Sequence, residues 1–256
     1  MSRATVTAVS GTETIRTESG RRGVSVYRNS IYWFALLLII LVVGFWRSYF
    51  SELGRGSLHI THHVHGVAML LWVLLLMVQS WLIRTGRRTG HRFLGRSSLV
   101  LAPVVVASGL WVNFHIMAGA PEPIPAGFLG AYWWGFFLMV AFAVFYTLGA
   151  IHRRRLQLHA RYMAATALVF LTPGVGRAWF NYLYPLTGWE PTAMKVTAVP
   201  LLIGGWLLLD DWRRGRTVKP YLLFCTIWLV GYLGRVGVTR LEVWHEFASW
   251  SARVQG

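Results

Sequence analysis

Four histidines fall within seven residues, His59, His62, His63 and His65, and a fifth, His91, lies in the basic turn after the apolar stretch that follows them. Neutral imidazole is the commonest protein metal ligand and suits iron, copper and zinc. On a helix, His59, His62 and His63 share one face at i, i+3 and i+4, and His65 continues that face from His62. A helix that begins before His59 brings two or three of these rings together, which marks His59, His62, His63 and His65 as candidate metal ligands. The competing reading is a run of interfacial histidines facing water and headgroups.

The elements that carry these residues are hydrophobic. The chain has 256 residues, 55% hydrophobic and 13% charged, a balance too apolar for a soluble domain. A hydrocarbon core of about 30 Å needs roughly 20 apolar residues per helix. Seven blocks approach that length: 31–49, 64–83, 94–114, 131–151, 162–183, 193–209 and 221–239. The expected fold class is all-α, an integral membrane bundle of seven transmembrane helices. Its expected parts are a disordered cytoplasmic tail (1–29), the seven-helix domain (30–240) and a short outer tail (241–256).

Charge sets the orientation. With the amino terminus cytoplasmic and the carboxyl terminus outside, inner segments hold 18 of the 25 Lys and Arg residues and outer segments seven, as the positive-inside rule requires. The formal charge of +16 sits in short arginine clusters between apolar blocks, which argues against nucleic-acid binding. The lipid bilayer is the partner this composition demands. The single cysteine, Cys225, lies inside an apolar block, so histidine is left to hold any metal or haem.

This topology sorts the remaining candidates by depth. His91 and His159 meet the inner face on neighbouring helices, an arrangement that supplies two axial ligands to a b-type haem. His65 and His115 form the corresponding outer pair. Arg177 and Arg235 lie within the outer halves of blocks five and seven, where a charge needs a cavity or an anionic partner. A haem propionate or a substrate carboxylate fits Arg177. Asn113 and Asn181 complete a polar pocket under the outer histidines, Gln79 is a lone amide in the second block, and Pro173 kinks the fifth beside a cavity.

Two stretches, HGVAMLLWVLLLMVQSWLIRTGRRTGHRFLG over 65–95 and RRRLQLHARYMAATALVFLTPGVGR over 153–177, resemble a group of poorly characterised bacterial multi-pass membrane proteins. The matching positions are His65, Gly66, Trp72, Gln79, Gly86, Arg87, His91, Arg92, Leu94, Gly95, His159, Arg161 and Met163. The resemblance covers about a third of the chain and implies a fold group in the bacterial cytoplasmic membrane. His91 and His159 are also similar to the ligand histidines of transmembrane b-type cytochromes. His59, His62 and His63 resemble one His-x-x-His-His box of membrane desaturases, whose other boxes this chain lacks.

The expected function is electron transfer, or oxidation of a lipophilic, quinone-like substrate, at haem b or a histidine-ligated iron or copper. The alternatives are a metal-handling assembly factor or permease, and a structural subunit without a site.

Overall fold

The computed structural model describes residues 29–188 and 192–255, and the expected tail at 1–28 lies outside them. The first apolar block forms α1 (Ser30–Phe45), and the histidine-rich stretch opens α2 (Ile60–Arg84). Two helices replace the expected third span: a short α3 (Arg88–Gly95) and a long α4 (Ser98–Ala118). Next come α5 (Ala126–Ile151) and α6 (Leu156–Ala178), the latter running through a π turn (Trp179–Leu183) into one last turn, α7 (Tyr184–Thr187). The chain ends in α8 (Ala193–Arg213), α9 (Lys219–Val238) and α10 (Glu242–Gln255).

No strand occurs among the described residues, and α2, α4, α5, α8 and α9 are long and apolar enough to cross a membrane. The helix α1 is apolar but has 16 residues. The helix α6 has 23, yet it carries Gln157, His159, Arg161 and Arg177 along its length. The architecture is an all-helical bundle of membrane type.

Contacts arrange the helices around α6. In sequence order α1, α2, α4, α5 and α6 each pack on the next, and α6 packs back on α1, closing a five-membered ring. The helices α8 and α9 lie against α6, and α9 also against α5. Large side chains fill the ring: Trp72, Phe142, Phe145 and Phe170 are all buried. The seam between α1 and α6 is closed by glycine, since a Cβ on Gly44 would stand within van der Waals overlap of the Gly174 carbonyl. Small residues let membrane helices approach to backbone contact. This seam also corrects the expected cavity beside Pro173, because Leu41 and Ile40 of α1 press against the neighbouring Gly174.

The segment expected as an outer tail is instead α10, which packs on α4 and α5. Its Trp244, Phe247, Ala248 and Ser251 share a face at i, i+3, i+4 and i+7, the pattern of an amphipathic helix. That face is pinned by Trp244 Nε1 donating to the Leu129 carbonyl at 3.1 Å and Tyr132 Oη donating to Ser251 at 2.9 Å.

Candidate functional site

Three elements meet at the end of the ring that holds His91. The helix α2 stops at a turn where Gly86 adopts φ 75°, a left-handed conformation that glycine takes without strain. The chain then re-enters as α3, which turns His91 inward while Phe93 on the same short helix is 76% exposed. His159, in the first turn of α6, faces it: the ring centroids are 6.3 Å apart and the planes 87° from parallel.

The tautomer of His159 follows from its partner. Its Nδ1 lies 2.8 Å from the Gly149 carbonyl, which only accepts, so Nδ1 carries the hydrogen and Nε2 keeps its lone pair. The Nδ1 of His91 is buried without a partner, and so are both amide atoms of Gln79. Each such atom costs about 1–3 kcal/mol when left unsatisfied. Beside Gln79 the α3 backbone comes close at Gly95, where a Cβ would lie 3.5 Å from the amide nitrogen. Burial, reinforced by the neighbouring His159, holds the His91 pKa below the ordinary 6.5.

A buried ion pair fixes the height of this site. Arg161, fully buried, donates through Nε and Nη2 to the two carboxylate oxygens of Asp211, each at 2.6 Å, and through Nη1 to the Gln157 carbonyl at 2.9 Å. Such bidentate pairs add direction as well as charge. They clamp α6 to α8 two residues beyond His159.

Above this site, Trp72 is 0% exposed and donates across the ring to Thr166 of α6 at 3.2 Å. Its indole meets Phe142 and Tyr146 edge-on. His65, Trp72 and Gln79 recur every seven residues, about two helical turns, and so form one stripe along α2.

The outer histidines do not form the expected single cluster. His59 is not on the helix face: it is the N-cap of α2, with extended dihedrals, and its Nδ1 accepts from the Thr61 amide at 3.4 Å. His115 of α4 stacks on His59 at 4.0 Å and meets His62 edge-on at 5.6 Å. His63 turns away to Tyr49, whose hydroxyl lies 3.4 Å from its Nδ1. His65 turns to Ser108 of α4 at 3.1 Å, so the expected pairing of His65 with His115 is replaced by His65 with Ser108. Among the described residues, no group of three His, Cys, Asp or Glu side chains is arranged to hold a metal ion.

The other polar candidates have structural partners. Arg235 donates to the Gly130 carbonyl at 2.8 Å, Asn113 to the Tyr132 carbonyl at 3.1 Å and Asn181 to the Gly44 carbonyl at 3.0 Å. These two amides therefore tie helices together and do not form a pocket under the histidines. Arg177 is exposed in the last turn of α6, over the Phe45 ring at 4.7 Å and 3.5 Å from the Ser48 hydroxyl. No family model, no curated protein and no solved structure matches this chain.

Sequence reasoning placed His91 and His159 at one depth, and the structure brings them together. It missed Asp211, Thr166, Ser108 and Tyr49. For Asp211 a signal was present: two adjacent aspartates end an apolar block, opposite an arginine in HARYM.

Proposed function

We propose that this protein spans the bacterial cytoplasmic membrane seven times, with its amino terminus inside, and transfers electrons at a haem b held between His91 and His159. The observation that carries this reading is the facing pair of half-buried imidazoles, with Nδ1 of His91 buried without a partner and Nε2 of His159 left with its lone pair by the Nδ1 bond to the Gly149 carbonyl. Two imidazoles bound to one metal at about 2 Å set their centroids about 6 Å apart, close to the 6.3 Å separation here. A haem brings its own equatorial nitrogens and asks the protein for two ligands, which suits this pair. When bound it would supply a one-electron couple close to the inner leaflet.

The protein's contributions are specific. Gly149 fixes the His159 ring and raises its basicity through the Nδ1 hydrogen bond, as backbone carbonyls do behind ligand histidines. The Arg161–Asp211 pair holds α6 in register. Arg177 serves another purpose, because eighteen residues of helix place it about 27 Å from His159. Its exposed position suits a lipid headgroup on the outer side.

The test is an absorption spectrum, oxidised and dithionite-reduced, of detergent-purified protein, with elemental analysis for iron, copper and zinc. The expected result is a b-type reduced spectrum that disappears in His91→Ala and in His159→Ala. A flat spectrum without bound metal rejects the haem reading. Copper or zinc without haem absorbance would favour a metal-handling role.

A further inference from the structure

We infer that Gln79 binds the uncharged headgroup of a membrane-dissolved quinone, an inference that rests on the electron-transfer reading for its role and on the geometry of Gln79 for its position. The amide nitrogen and oxygen of Gln79 are both buried and both lack a partner. A side chain with one free donor and one free acceptor asks for a ligand that offers both in turn.

A quinone does so. Oxidised, its ring presents carbonyl oxygens that accept from the amide nitrogen. Reduced, it presents hydroxyls that donate to the amide oxygen. The amide is neutral, which matches an uncharged headgroup better than a phosphate or a carboxylate. The surroundings suit its tail as well. Phe93, Leu99 and Val100, on α3 and the start of α4, are exposed beside the site at the level where an isoprenoid chain would lie in the inner leaflet. Gly95 lies next to the amide, where a Cβ would stand 3.5 Å from its nitrogen.

The experiment is calorimetric titration of the purified full-length protein with a short-chain benzoquinone and, separately, a short-chain naphthoquinone. It compares the natural sequence with Gln79→Leu. Leucine has similar bulk and removes an unsatisfied amide, so the variant should unfold at a temperature equal to or above that of the unsubstituted protein. The expected result is binding by the unsubstituted protein that weakens at least tenfold in Gln79→Leu, with the reduced absorption spectrum retained.

Equal binding by both proteins, or none by either, overturns the inference; in that case water satisfies the amide. The two readings fail separately. Quinone binding that depends on Gln79 in a protein without haem absorbance leaves the headgroup site standing and removes electron transfer at His91 and His159. A haem spectrum with no dependence of quinone binding on Gln79 does the reverse.

Discussion

The end of the bundle that carries His59 and His115 holds more histidines than the end that carries His91, yet the His91 end has the unfilled valences. His59 caps a helix, His63 meets a tyrosine and His65 meets a serine. The other end has His91, His152 and His159; His152 bonds the Leu148 carbonyl, while a ring nitrogen of His91 and the whole Gln79 amide are left buried without partners. A dense run of histidines in sequence is dispersed by the helix that carries it, because neighbouring positions point in different directions. Two residues far apart in sequence meet because the turns on either side of α4 and α5 return them to one depth. Chemistry concentrates where polar groups lack partners, and counting residues does not locate that place.

The largest test of this contrast is spectroscopic. Replacing His59, His62 and His115 together by alanine should leave the reduced absorption spectrum unchanged, while His159→Ala alone should abolish it. Loss of the spectrum in the outer triple variant would move the site to the other end of the bundle. Next in size is the buried clamp. Arg161→Met leaves the Asp211 carboxylate without its bidentate partner, with Arg216 still 3.9 Å away, and should cost about 3–5 kcal/mol, read as a lowered unfolding temperature. Arg161→Met combined with Asp211→Leu should recover part of that loss.

The outer end should respond more mildly. His59→Ala removes an N-cap and should cost about 1 kcal/mol, measured by the same thermal unfolding. A loss as large as that of Arg161→Met would mean that the outer cluster bears on stability in a way its contacts do not explain. The smallest effect is in pH. Burial lowers the His91 pKa in the folded protein, so below the ordinary value of 6.5 the unfolded chain binds more protons and stability falls with pH. The His91→Leu variant should show a shallower loss of unfolding temperature below about pH 6.5 than the unsubstituted protein. Identical slopes would show that His91 titrates freely.

Much of this architecture can be read directly from residue order. Apolar blocks separated by arginine clusters mark the long helices, since length and hydrophobicity alone decide what crosses a bilayer. The depth of His91 and His159 follows from the same blocks. The rearranged outer cluster does not, because it depends on the first turn of α2 starting at Ile60, which makes His59 a cap and not a face residue. The Arg161–Asp211 pair was hidden for a different reason. Counting positive charges by side treats Arg161 as one more inner cation and gives Asp211 no weight, whereas the pair is buried between α6 and α8. The docking of α10 was obscured by its mixed composition, which reads as a polar tail until its aromatic residues are placed on one face.

The glycine seam between α1 and α6 governs the order in which the molecule is made. Asn181 and its partner Gly44 are 137 residues apart, with Gly174 close by on the same side of α6. At a synthesis rate of about 5–20 residues per second, the first helix waits on the order of ten seconds in the bilayer before its final neighbour exists. Throughout that interval the ring is an open crescent, with Trp72 facing lipid where Thr166 will later stand. The arrival of α6 closes that crescent and brings Gly174 against Gly44.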